Sequence, residues 1–238
     1  MKSVNSDLDL TAGVKDTLPT VFGYIGIGLA FGIVGKAAGF SPLVITLMSI
    51  FIYAGSAQFI TVSMLAAYSP ILSIVLSTFL VNSRMILMSM TLAPYFKKQS
   101  VLKNIMIGTL LTDESFALSM NKLNYTERQL NFRWMNTANV ISYLTWIVST
   151  LVGALLGNFI TNPEKFGLDF ALVAMFIGLL YLQFIADRSL KRSLQLVVIA
   201  FTLVCTYFGL IFIPSNLLIL AVTLIGCGFG VMMKHAFF

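Results

Sequence analysis

The sequence predicts an all-α, polytopic membrane helix bundle with about seven to eight transmembrane or re-entrant segments, and with broken helices in its N-terminal half. Three observations carry this. Of 238 residues, 58% are hydrophobic and only 10% charged, against about 25% charged in an ordinary soluble domain. The mean hydropathy is +0.92. The apolar residues fall into runs near the ~20 residues needed to cross hydrocarbon, and the early runs carry polar residues near their middles.

The chain is expected to form a single membrane domain over 1–238. Residues 1–16 are a polar N-terminal segment, 17–120 a motif-bearing half and 121–238 the C-terminal helices. The polar segment contains Asp7, Asp9 and Asp16. It lacks the basic stretch and apolar core of a cleaved signal, so the first run should remain in the membrane. That run, 18–38, is rich in glycine, and Gly28 and Gly32 form a small-xxx-small pair suited to close helix approach. Pro19 suits a first helical turn.

The next three runs are interrupted. The second, 42–68, is broken by Ala54-Gly55-Ser56-Ala57-Gln58. The third, 70–93, is broken by Asn82-Ser83-Arg84, and the fourth, 102–120, carries Thr112-Asp113-Glu114-Ser115. The runs at 134–160, 168–186, 194–213 and 215–233 are more uniformly apolar, with Asn136, Asn139 and Gln183 as exceptions. Gly153/Gly157 and Gly226/Gly230 are further close-packing pairs. Gln58-Phe59-Ile60 and Gln183-Phe184-Ile185 share a tripeptide, a faint hint of the internal repeats on which many carriers are built.

Charge in the loops orients the chain. The loops holding Lys122, Arg128 and Arg133, and Asp187, Arg188, Lys191 and Arg192, are basic, and the tail has Lys234. The loop at 163–167 is balanced and that at Pro214 uncharged. The positive-inside tendency places both basic loops and the C-terminus in the cytoplasm. The loop with Lys97, Lys98 and Lys103 lies outside if all four early runs cross fully, and inside if one is re-entrant.

Several functions are excluded. The net charge of +6 comes from these loops, with no aromatic-interleaved basic patch for nucleic acid. Cys205 and Cys227 sit in apolar runs and read as small hydrophobes, with no disulfide framework. The only histidine is His235, so no two-histidine metal site or Ser-His or Cys-His pair can be assembled. No Walker loop is present. The sequence therefore reads as a non-enzyme without metal or cofactor.

The chemistry-bearing residues lie at membrane depth. An arginine at the centre of a spanning helix costs about 2.5–3.5 kcal/mol on insertion scales, so Arg84, with Asn82 beside it, is expected to face a cavity or a partner. Asp113 and Glu114 are the acids farthest from loops. Adjacent residues point about 100° apart on a helix, so one of them, Asp113 by preference, is expected to face the interior. Burial disfavours the charged form of an acid, which suits Asp113 and Glu114 to proton coupling. The structural alternative is an Arg84–Asp113 ion pair. The segment from Gly55 and Ser56 to Gln58 offers an unwound helix whose N-terminal N–H groups attract anions, or else a tight packing point.

These segments resemble a known family. Ala54-Gly55-Ser56-Ala57-Gln58-Phe59, Val81-Asn82-Ser83-Arg84, Leu92-Ala93-Pro94 and Thr112-Asp113-Glu114-Ser115-Phe116-Ala117-Leu118 follow the order and spacing of the AzlC/YgaZ family. That family forms the large subunit of branched-chain amino-acid exporters. The resemblance implies a bacterial inner-membrane protein exporting hydrophobic amino acids such as leucine, isoleucine and valine with a small membrane subunit of the AzlD/YgaH type. Met85 departs from the histidine that many members carry after the arginine.

Together these readings give a secondary exporter, driven by protons through Asp113 and Glu114. Its substrate carboxylate would meet Arg84 or the Gly55–Ser56 N–H groups, its ammonium Asp113, and its side chain Phe59 and Met85. The alternatives are a non-transporting scaffold subunit and a passive channel for small zwitterions.

Overall fold

The computed structural model describes residues 7–160, 165, 167, 170–186, 190–213 and 215–237. Among them every regular element is helical. Four helical stretches are long and apolar enough to cross a membrane: Leu10–Ala37, Ile71–Phe96, Phe132–Phe159 and Arg192–Phe212.

The first helix, α1 (Leu10–Ala37), starts earlier than the apolar run. Asp9 caps it, its carboxylate accepting from the Ala12 N–H at 2.7 Å, as a short acidic side chain does at an N-cap. Pro19 therefore lies inside the helix rather than in its first turn. Helix α8 (Phe132–Leu156) packs along α1 over its whole length. A Cβ on Gly13 would meet Thr137, on Gly28 Ser149, and on Gly32 the backbone of Thr150 and Ala154. Both positions advance together, so the two helices are parallel, and only glycine allows the approach at Gly32 and at Gly153, which faces Leu29. The end of the bundle holding Leu10 and Phe132 is here the near face, and the opposite end the far face.

Each of the three interrupted runs breaks where its polar segment lies. Helices α2 (Pro42–Phe51) and α3 (Gly55–Ala66) are separated by three residues around Tyr53, whose φ of 41° is left-handed. That region is sterically costly for a bulky residue. Ile45 of α2 packs on Gly35 in the far half. Gly55 meets Trp146 at the centre, and Phe59 and Val62 of α3 return to Phe31 and Ala154 in the far half. The α2–α3 hairpin thus enters from the far face and returns to it.

Helices α4 (Ile71–Asn82) and α5 (Arg84–Phe96) form one span interrupted at Ser83, whose hydroxyl donates to the Leu80 carbonyl at 2.6 Å. The span ends among Trp134, Met135, Leu123 and Leu130 at the near face. Helix α6 (Val101–Thr109) starts there, with Lys103 over the Phe132 ring, and runs inward. Helix α7 (Asp113–Lys122) returns, Ser119 bonding the Met135 sulfur and Lys122 pairing with Asp16. The α6–α7 hairpin is re-entrant from the near face. The basic loop at 97–103 therefore lies at the same end of the bundle as the basic loop at 122–133, the arrangement expected if the α6–α7 run is re-entrant.

The first seven helices form an inverted repeat. A spanning unit followed by a re-entrant hairpin occurs twice: α1 with α2–α3, then α4–α5 with α6–α7. Corresponding elements begin at Leu10 and Ile71, Pro42 and Val101, and Gly55 and Asp113, a nearly constant offset. The first spanning unit runs from near to far and the second from far to near. Gly55-Ser56-Ala57-Gln58 and Asp113-Glu114-Ser115-Phe116 fall at matching positions of the two hairpins, each the first turn of a helix. The tripeptide at Gln58 and Gln183 is not this repeat: Gln183 stands late in α9 (Ala171–Ala186), with its side chain outside the described residues.

Helices α10 (Arg192–Phe212) and α11 (Ser215–Phe237) are antiparallel. Gly226 faces Thr202, Gly230 faces Val198, and the Phe201 and Phe229 rings stack at 3.8 Å. Pro163, Glu164, Asp187, Arg188 and Pro214 of the sequence-based loop reading lie outside the described residues.

The re-entrant hairpin gives a direct expectation. Topology reporters placed at Gln99 and at Tyr125 will report the same face of the membrane. Opposite faces would show that α6–α7 crosses fully.

Candidate functional site

The three breaks meet at the centre of the bundle. A span that breaks frees backbone N–H groups, which must find partners in protein or water because hydrocarbon offers none. The free N-termini of α3 and α7 converge there from opposite faces. Thr112 caps α7, its Oγ1 accepting from Ser115 N–H at 3.3 Å while Ser115 Oγ accepts from Thr112 N–H at 2.9 Å. Asp113 and Glu114 occupy its first turn, where the helix dipole favours acids. Helix α3 has no side-chain cap.

Arg84 lies between these two ends. Its Nη2 is 2.7 Å from Asp113 Oδ2 and donates to Ser56 Oγ at 2.7 Å. The Phe176 ring of α9 lies 5.1 Å from the guanidinium carbon. The ion-pair alternative raised for Asp113 is therefore what the geometry contains. Ser56 and Asp113, in the first turns of the two converging helices, hold the same guanidinium nitrogen.

Glu114 also faces inward, contrary to the expectation that one acid would turn away. The Tyr24 hydroxyl of α1 donates to Glu114 Oε2 at 2.7 Å and lies 2.8 Å from Thr112 Oγ1. Both acids can be used because α7 starts at the centre with α5 on one side and α1 on the other.

Arg84, Asp113, Glu114, Ser56 and Gly55 line a cavity of about 20 Å³, together with Met85, Tyr24, Tyr53, Ala54, Thr112 and Trp146. That volume is on the scale of one water-sized sphere. The Tyr53 hydroxyl and Arg84 Nε are buried there without a hydrogen-bond partner. Arg84 and two acids, four hydroxyls and the N-terminal end of α3 thus converge beside aromatic faces, a polar centre with groups of both charge signs.

Three sequence-derived candidates lie elsewhere. Gln58 is fully buried and does not line the cavity. Its Oε1 accepts from Trp146 Nε1 at 2.9 Å and its Nε2 donates to Ser49 Oγ at 3.0 Å, so it ties α2, α3 and α8 together. Asn82 sits at the end of α4, outside the lining, with Oδ1 buried and unpaired. Phe59 packs against Phe31 at 5.2 Å between ring centroids, not against Met85. Sequence reasoning missed Tyr24, Tyr53 and Trp146, because an aromatic residue in an apolar run gives no signal of the face it occupies.

An inverted repeat whose broken helices pair opposite charges at membrane depth defines a class, the polytopic membrane protein with a polar centre. Residues 19–160 match the AzlC protein family, and the chain belongs to that family. Inner membrane protein YgaZ of Escherichia coli (strain K12) is 32% identical over 189 residues, covering 78% of this chain and 77% of the relative. Branched-chain amino acid transport protein AzlC of Bacillus subtilis (strain 168) is 28% identical over 179 residues, covering 73% and 67%. An uncharacterized membrane protein of Archaeoglobus fulgidus is 30% identical over 184 residues, covering 76% and 78%. No solved structure matches the chain.

The Gln58 bridge predicts a structural phenotype. Gln58→Leu leaves Trp146 Nε1 without its acceptor, while Ser49 Oγ keeps its bond to the Ile45 carbonyl, and one buried unsatisfied group costs about 1–3 kcal/mol. Thermal unfolding in detergent will show a lowered Tm. An unchanged Tm would mean that the amide is not needed to join the three helices.

Proposed function

We propose that this chain is a secondary transporter that exports branched-chain or other hydrophobic amino acids across the inner membrane. The observation that carries the reading is the Arg84–Asp113 pair at the meeting point of two oppositely directed re-entrant hairpins. Carriers built from inverted repeats bind their solutes at such discontinuous helices near the midplane, and relatives named for the inner membrane and for branched-chain amino acid transport support the class.

A zwitterionic amino acid replaces each half of the pair with its own opposite charge. Its carboxylate meets Arg84, Ser56 and the uncapped N–H groups of α3, and its ammonium meets Asp113. The side chain lies on Met85, Trp146 and Tyr53, which line the cavity where Phe59 does not. The cavity is too small for an amino acid with the ion pair closed, so binding separates Arg84 from Asp113. The exchange keeps both protein charges compensated throughout, which avoids the cost of an unpaired charge in a low-dielectric interior.

Asp113 and Glu114 are the proton-coupling residues of this reading. Glu114 holds its partner Tyr24 through one oxygen, so protonation changes a contact between α7 and α1 rather than an isolated group. The near face, with Lys97, Lys98, Lys103, Arg128 and Arg133, is placed in the cytoplasm together with the C-terminus by the positive-inside tendency. The partner is a small membrane subunit of the AzlD/YgaH type, as the family resemblance implies.

Counterflow in vesicles, with and without that subunit, tests the site. Arg84→Ala and Asp113→Asn, each inserted normally, will lower leucine exchange at least about ten-fold, the scale of one lost charge-assisted hydrogen bond. Exchange at the unmodified rate in both would place the site elsewhere, and flux that does not saturate would favour a channel. Proton coupling is read separately: collapsing the pH gradient will lower leucine export by the unmodified chain and leave export by Glu114→Gln unchanged. Export that ignores the gradient in the unmodified chain would remove protons from the mechanism.

A further inference from the structure

A second, much larger space adjoins the polar cavity. It is a cleft of about 1340 Å³ bounded by α1, α7, α9, α10 and α11. Its near-face end carries Lys15, Lys122, Arg128 and Lys234, with Asp16 as the acid among them. Lys122 is bound to Asp16 there, its Nζ 2.6 Å from Oδ2. Deeper in, the walls are mostly apolar and include Gly23 and Gly178, where an added Cβ would meet nothing within 4 Å.

Two residues line both spaces: Tyr24 and Glu114. Their hydrogen bond spans the boundary between the cleft and the cavity, and it joins a full spanning helix to a helix that reaches only halfway across. Tyr24 is 3% exposed, and its ring packs edge-on against Trp146 at 5.2 Å. Displacing this one pair would merge the two spaces; the Tyr24 ring leaves its edge-on contact with Trp146, while the close glycine contacts of α1 with α8 at Gly28, Gly32 and Gly153 remain.

We infer that the cleft is the near-face access route to the central site and that the Tyr24–Glu114 hydrogen bond is its gate. This rests on the transport reading for what passes through, a small zwitterion, and on the geometry alone for the route. The excess of cations at the mouth attracts the carboxylate end of such a molecule, and the apolar walls with their glycines leave a smooth passage for its side chain. The central pair receives the molecule only after Tyr24 releases Glu114.

Cysteine accessibility tests the route without requiring transport. Cys227 is exposed and lines the cleft. In sealed vesicles of the full chain, a charged methanethiosulfonate reagent added from the near face will modify Cys227. Reaction with uncharged N-ethylmaleimide only would mean that lipid chains fill the cleft, and would overturn the inference. The gate is read with Cys205→Ser, Cys227→Ser and Met85→Cys combined, because Met85 lines the polar cavity and not the cleft. Modification from the near face will be slow with Tyr24 and Glu114 intact, and about ten-fold faster in Tyr24→Phe, the scale set by one lost hydrogen bond. Glu114→Gln, which keeps the volume, will speed it in the same direction and serves if Tyr24→Phe folds poorly. Equal rates in all three chains would overturn the gate. Gate-dependent labelling in a chain that shows no leucine counterflow would uphold the route and remove the transport reading.

Discussion

The structure depends on one interaction, the pairing of Arg84 with Asp113 where three broken helices meet. Neither charge is tolerable alone at that depth: a lone arginine or aspartate at the centre of a span costs about 2.5–3.5 kcal/mol. Their pairing requires both to reach the same point from different faces. The span α4–α5 delivers Arg84 at its break, and the hairpin α6–α7 delivers Asp113 at the start of a helix whose dipole favours an acid. The hairpin α2–α3 supplies Ser56 from the far side. Removing any of the three breaks would move one partner away from the others.

The surrounding contacts hold this meeting point in place. The glycine seam between α1 and α8 brings two parallel helices close enough to form a rigid wall, from which Tyr24 and Trp146 project to the centre. Gln58 fixes the hairpin α2–α3 to that wall, and Lys122 with Asp16 fixes the outer end of α7 to it. The hairpin ends are therefore anchored while their central tips meet only through polar contacts. Rigid anchoring around a small polar centre is the arrangement that the proposed transport reading draws on.

Much of this was legible in the sequence, and the reasons differ by feature. The membrane class followed from composition, and the three breaks followed from polar residues that an uninterrupted span would not tolerate. Arg84 and Asp113 stood out because charge at membrane depth is costly. The re-entrant course of two runs was not legible from hydropathy, since a hairpin and a span of equal length bury the same apolar residues. Its one trace was charge: Lys97, Lys98 and Lys103 precede a single run and Lys122, Arg128 and Arg133 follow it. Gln58 stands apart from the cavity lining, which the sequence could not show, because an amide that joins helices and an amide that faces a cavity look alike until its partners are known. Tyr24, Tyr53 and Trp146 were invisible because the helix faces they occupy are fixed by the α1–α8 seam and by the left-handed turn at Tyr53, neither of which has a periodic signature. The inverted repeat left only two short polar segments, beginning at Gly55 and at Asp113, too short and too unlike to stand out from chance.

The account's central claim is that a zwitterionic amino acid takes the place of the Arg84–Asp113 bond. The most direct measurement is an experimental structure of the chain with leucine bound in a lipid nanodisc. The account predicts the leucine carboxylate against Arg84 and Ser56, its ammonium against Asp113, and the two protein side chains drawn apart. Leucine bound elsewhere, with Arg84 still closed on Asp113, would contradict it.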